Sequence, residues 1–254
     1  MRTVLITELL KLRRAPVVWG TLCALLAGPL GIALLIWIVQ DPERAARTGM
    51  LGAKAELSGV EATWPVYSSF VVLIIGSAGW LVLAFIMTYL FGREYSDHTA
   101  TALFTFPIPR HRFAVAKFAL SLAWWVVIAV ITLAEAIAVG LALGLTGFTG
   151  GTLPGLLAET AAAIAVTWLA GTPVALLTVW TRGYLAPIGV AMALLLAGQL
   201  LGQTGWASWF PWSVLVAANI DEAGVPPHSW VVLLVTATVG IAVTIWRYRT
   251  ADNH

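Results

Sequence analysis

Long apolar runs separated by short charged clusters dominate the chain. They cover residues 15–39, 67–91, 114–143, 153–180, 185–201 and 230–246. A bilayer core about 30 Å thick needs about 20 apolar helical residues at 1.5 Å rise. The pattern therefore predicts six membrane-spanning helices. Glu135 interrupts the third run, Glu159 lies near the start of the fourth, and the short fifth carries Gln199 near its end. The expected fold class is all-α, a polytopic membrane protein with a single transmembrane domain over 1–254. Six spans return both termini to one side.

Composition agrees. Of 254 residues, 60% are apolar and only 10% charged, with mean hydropathy +0.90. So few charges cannot cover the surface of a soluble fold of this size. That excludes a soluble single-domain enzyme. The single cysteine, Cys23, excludes an intrachain disulfide. The placement of the cations fixes an orientation. If the N-terminus is cytoplasmic, the inner segments hold 11 Lys and Arg and the outer segments only Arg44, Arg47 and Lys54. Cytoplasmic flanks carry such an excess, so both termini are expected in the cytoplasm. The run 15–39 is too long for a signal peptide and lacks a small-residue cleavage site after it; it is expected to be a retained span.

Residues 3–14 are too charged to span. Val4, Leu5, Leu9 and Leu12 recur near helical spacing, with Glu8, Lys11 and Arg14 on another face, which predicts an amphipathic helix on the inner leaflet. Residues 202–229 are rich in tryptophan and broken by Pro211, which predicts a re-entrant or interfacial hairpin on the outer side. Trp64, Trp206, Trp209, Trp212 and Trp230 at outer boundaries, with Trp180 and Trp246 at inner ones, read as an aromatic belt. They are not a nucleic-acid stacking platform.

The inner segment 92–117 reads GREYSDHTATALFTFPIPRHRFAVAK. Tyr95, Thr99, Ala102, Leu103 and Phe106 fall on one helical face, and Pro107 ends that helix. An exposed apolar stripe must press on the membrane, pack on its own spans, or dock in a partner's groove.

The order Gly92, Arg93, Glu94, Thr99, Leu103, Pro107, Arg110, Lys117 resembles the inner loop of permease subunits of ABC-2-type ABC exporters. Glu8, Leu9, Lys11, Arg13 and Arg14 resemble that family's amphipathic leading helix. The resemblance implies that 92–113 is a coupling loop seated on a separate ATP-binding cassette subunit. Two permease chains, a homodimer rather than a heterodimer, would then enclose one pathway. It implies polar contacts to the ATPase from Arg93, Glu94, Asp97 and Arg110, and a buried stripe of Tyr95, Thr99, Leu103 and Phe106. The chain has no phosphate-loop motif, so no cofactor is expected here; ATP and magnesium belong to the partner.

Glu135 and Glu159 are expected at similar depth, and no Lys, Arg or His lies in the last three spans to pair with them. A carboxylate there is costly unless wetted, paired or protonated. They line a possible substrate pathway with Gln199, or sit protonated against backbone and threonines. The alternative function is an ion-coupled secondary transporter or channel using Glu135 and Glu159. A membrane enzyme is disfavoured: His98, His111, His228 and His254 show no metal-ligand spacing, and Ser77 and Ser121 have no basic partner nearby in sequence.

Overall fold

The computed structural model describes residues 2–41, 62–97, 109–214 and 226–250. Regular structure there is helical, apart from one isolated bridge between Thr63 and Thr146. In chain order the helices are α1 (Arg2–Arg13), α2 (Pro16–Val39), α3 (Trp64–Ser96), α4 (His111–Ala142), α5 (Thr152–Thr181), α6 (Leu185–Leu201) and α7 (Pro227–Thr250). Among the described residues, α2, α3, α4, α5 and α7 are long and apolar enough to cross a membrane, while α6 is apolar but has only 17 residues.

Prolines open α2, α3 and α7, where a missing N–H leaves nothing unsatisfied. Pro29 and Pro173 instead lie inside α2 and α5. Pro173 cannot donate to the Leu169 carbonyl one turn back, and an apolar bilayer offers no water to replace that bond. The Thr172 hydroxyl does, donating to Leu169 O at 3.0 Å. A π-helical turn, Ile74–Ala78, interrupts α3; there Ser77 donates to Leu73 O at 2.7 Å.

α5 is the centre of the bundle. It packs most extensively on α7 and α3, and also on α4 and α6. The α5–α7 crossing is tight. A Cβ on Gly240 would lie 2.9 Å from Pro173 N and 3.0 Å from Thr172 C. No side chain fits where two backbones approach so closely. Tryptophans tie neighbouring helices together. Trp80 donates to Ala191 O of α6 at 3.0 Å, Trp125 to Ile164 O of α5 at 3.3 Å, and Trp168 to Ser121 Oγ of α4 at 3.2 Å.

The ends of the bundle differ. One gathers α1, the C-terminal ends of α3 and α7, the start of α4 and the α5–α6 turn, and it carries Lys11, Arg13, Arg93, Arg112, Lys117, Arg182, Arg247 and Arg249. At the other end Trp64 N bonds to Thr146 O at 2.8 Å and Ser229 Oγ to Ser208 O at 2.6 Å. There residues 202–214 fold back on the bundle. The Trp212 backbone rests against Gly198 in the last turn of α6, and the Trp212 ring meets Trp80 edge-on at 6.3 Å.

Two expectations change. Trp64 is not a belt residue: it is 1% exposed, wedged against Gly140 and Phe148. The exposed Trp180, Trp206, Trp209 and Trp246 keep belt-like positions. α1 also presents a different face. Val4, Glu8 and Leu12 turn into the protein, while Ile6, Leu9 and Leu10 are exposed. Positions four apart share one side of a helix, so Glu8 goes inward with its apolar neighbours.

Candidate functional site

The described charges concentrate where α1, α3 and α4 meet at the basic end. Lys117 lies in the second turn of α4, pointing towards the last turns of α3. It is 1% exposed, and Glu8 and Glu94 are 3% and 5% exposed. Lys117 Nζ lies 2.8 Å from Glu94 Oε1 and 3.4 Å from Glu8 Oε2. Lys11 Nζ lies 2.7 Å from Glu8 Oε1 and 3.7 Å from Glu94 Oε1. The two ammonium groups and two carboxylates alternate in a closed ring, each charge touching both opposite charges. Lys117 also donates to the Leu90 carbonyl and lies 5.9 Å from the centre of the Phe91 ring.

Such a ring is how enclosed charge becomes tolerable. A lone buried ion costs several kcal/mol, offset only when partners surround it. Burial pushes the Glu8 carboxyl up, but the Lys117 and Lys11 ammonium groups outweigh it and hold it below its ordinary value. Phe91, Phe118 and Tyr248 shield the ring, with Phe91 4.8 Å from Phe118 and 6.4 Å from Tyr248.

The neighbouring signature residues belong to the same joint. A Cβ on Gly92 would lie 2.8 Å from Tyr184 and 3.0 Å from Thr178, so only glycine lets the α5–α6 turn close against α3. Arg93 donates to the Lys11 carbonyl in the last turn of α1 at 3.4 Å, where a cation suits the helix dipole. It also pairs with Asp97 at 3.1 Å and lies 5.6 Å from the Tyr89 ring centre.

The structure therefore redistributes the expected partner-facing residues. Glu94 is turned inward and occupied by Lys117, so it is not a surface contact. Arg93 and Asp97 are partly and largely open, and Arg110 at the start of α4 is half-buried. Tyr95, half-buried, belongs to the end of α3, because that helix runs to Ser96 and Asp97 leaves helical geometry. The stripe is thus not one unbroken helix from Tyr95. Thr99, Leu103 and Phe106 lie outside the described residues.

At the opposite end Glu135 is half-buried, while Glu159 and Gln199 are exposed on this chain. Glu135 Oε2, Tyr67 Oη, Thr132 Oγ1 and Thr160 Oγ1 are enclosed without a hydrogen-bond partner among the described residues. Ser121 donates to Phe118 O at 2.7 Å as well as accepting from Trp168.

The sequence reading missed the burial of Glu8 and the central place of Lys117. The signal was present in the spacing Val4–Glu8–Leu12, an acidic residue in line with the packing face.

The sequence profile of the ABC-2 family transporter proteins matches residues 4–198, a stretch that includes every member of the ring. The chain belongs to that family and is the membrane-spanning permease subunit of an ABC transporter, working with an ATP-binding cassette subunit. It is similar to the bacitracin transport permease protein BCRB of Bacillus licheniformis. The two are 24% identical over 188 residues, covering 73% of this chain and 89% of that one.

Proposed function

We propose that the chain forms the pathway of an ATP-driven exporter as a homodimer in the cytoplasmic membrane, with its basic end and both termini in the cytoplasm. Separate ATP-binding subunits receive the segment between α3 and α4, and their closure moves it. The observation that carries this reading is the joint at the base of that segment. The helices on either side of it, α3 and α4, are paired through Glu94 and Lys117, and Glu8 and Lys11 of α1 close the ring beside them, so displacement of the segment bears on three helices at once. Arg93, Asp97 and Arg110 border the segment and supply polar contacts to the ATPase; Leu103 and Phe106 supply its apolar anchor. The excess of Lys and Arg at this end supports the orientation. Residues 202–214 then form a re-entrant hairpin on the outer side.

The substrate class is a peptide antibiotic with a cationic group. The similarity to the bacitracin transport permease supports the peptide, and the carboxylate of Glu135 within α4 supports the cation.

The test is purification of the tagged chain from its host in mild detergent, followed by ATP hydrolysis and transport assays. A stoichiometric chain with a phosphate loop is expected. Leu103→Asp should abolish assembly or coupling while the chain still inserts. A lone oligomer with no ATPase captured by crosslinking at position 103, or unchanged ATPase stimulation and transport in that variant, overturns the reading.

A further inference from the structure

The edges of the charge ring are unequal. The two short ones, Glu8–Lys11 at 2.7 Å and Glu94–Lys117 at 2.8 Å, lie within α1 and between α3 and α4. The two long ones, Glu8–Lys117 at 3.4 Å and Lys11–Glu94 at 3.7 Å, are those that join α1 to the α3–α4 pair. The ring is thus two neutral ion pairs laid head to tail. Parting them leaves each carboxylate with its own ammonium group, so neither half is left with a bare buried charge. Breaking an ordinary buried pair strands an ion and is strongly unfavourable; this joint avoids that.

Release of α1 also gives up the burial of Val4 and Leu12 and the Arg93 bond to the Lys11 carbonyl, while its link to α2 suits a movable part. Ala15, between α1 and α2, is extended, with φ −82° and ψ 134°, so the two helices meet at a non-helical corner. Lys11 is the ring member open to solvent, with its side chain 33% exposed. Ile6, Leu9 and Leu10 lie on the outer side of α1, where a lipid interface would hold them in either position.

We infer that Glu8, Lys11, Glu94 and Lys117 are positioning residues of the transport cycle: they key α1 to α3 and α4 as one neutral pair on another, and α1 releases and re-docks as a unit when the segment between α3 and α4 moves. This rests on the permease reading for the movement, but the keying is a property of the chain alone.

Charge exchange separates the two. Glu8→Lys with Lys11→Glu keeps the α1 half neutral yet sets like charges across both long edges. Glu94→Lys with Lys117→Glu does the same from the other half. All four changes together restore the alternation. Amide exchange of residues 2–13, read by mass spectrometry on the full chain in nanodiscs, reports docking. Exchange should rise about tenfold in the α1 pair variant, with the spans still protected, and return to within about twofold of wild type when all four are changed. Unchanged α1 exchange in the Glu8→Lys, Lys11→Glu variant overturns the keying, even if the buried α3–α4 exchange fails to fold. A four-fold variant that folds but stays as open as the α1 pair variant overturns it too. In the assembled transporter, trapping with a non-hydrolysable ATP analogue should raise α1 exchange, and Lys117→Arg should retain that response. If the analogue alters the spans but not α1, the release is wrong while the permease reading stands. If no ATPase assembles with the chain, the permease reading fails and the keying stands on the first measurement.

Discussion

Glu8 shows what one residue's surroundings do to its chemistry. Burial of its side chain disfavours the charged form, but the Lys117 and Lys11 ammonium groups beside it outweigh that and favour it. Its folded pKa is therefore below the unfolded value of about 4.3. A depressed carboxylate contributes stability that is complete above the unfolded pKa and is lost as pH falls through the folded one. On acidification of the purified chain, the docking of α1 should stay level to about pH 5 and weaken below about 4.3. Glu8→Gln removes this titration. The wild-type profile of α1 amide exchange against pH should be steeper than that of Glu8→Gln. Parallel profiles would mean that Glu8 does not feel its neighbours as the geometry requires.

At the scale of elements, helix contact is decided by small residues and by hydroxyls that repair the backbone. Gly240 on α7 meets the Thr172–Pro173 stretch of α5, where the Thr172 hydroxyl serves the carbonyl that Pro173 leaves unbonded. Gly240→Val must push two backbones apart, with no flexible side chain to yield. A loss of about 1–3 kcal/mol is expected, as for other overpacked contacts. Val239→Leu, on the exposed side of the same helix, should be neutral. Thermal unfolding in detergent checks both; equal midpoints would disprove the tight crossing. The helices are legible because bilayer thickness imposes a length: the six apolar runs end within a few residues of α2 to α7, five of which are long and apolar enough to cross a membrane. The face of α1 was not. Charge alone puts Glu8 on the polar side, and sequence shows neither Lys117 nor Glu94 waiting to receive it. Likewise Tyr95 belongs to α3, which outlasts the apolar run by carrying Arg93 and Glu94 into its last turn, and the rest of the stripe lies outside the described residues. Trp64 lies at a boundary in sequence, but Gly140 opens a slot for it in the interior.

Across the whole molecule, the two ends treat charge in opposite ways. At the basic end four charges satisfy one another. About 27 Å further along α4, at 1.5 Å per residue, Glu135 forms no ion pair among the described residues. The contacts of Trp64 with Gly140 and of Gly79 with Trp125 set α3 antiparallel to α4, and this register brings Tyr67, one turn after Trp64, to the level of Glu135. Thr132 lies one turn below on the same helix. A carboxylate within α4 that makes no ion pair among the described residues is suited to receive a positive charge rather than to hold the bundle together, because removing it leaves no ion unpaired. If the proposed pathway passes here, Glu135→Gln should leave assembly, α1 docking and basal ATP hydrolysis intact. Transport of cationic peptides should fall about tenfold, corresponding to about 1.4 kcal/mol of lost interaction, with neutral substrates unaffected. Transport measured into inverted vesicles over a panel of cationic and neutral peptides decides it. Equal rates for every substrate would take Glu135 out of the pathway and leave it a protonated group buried among hydroxyls.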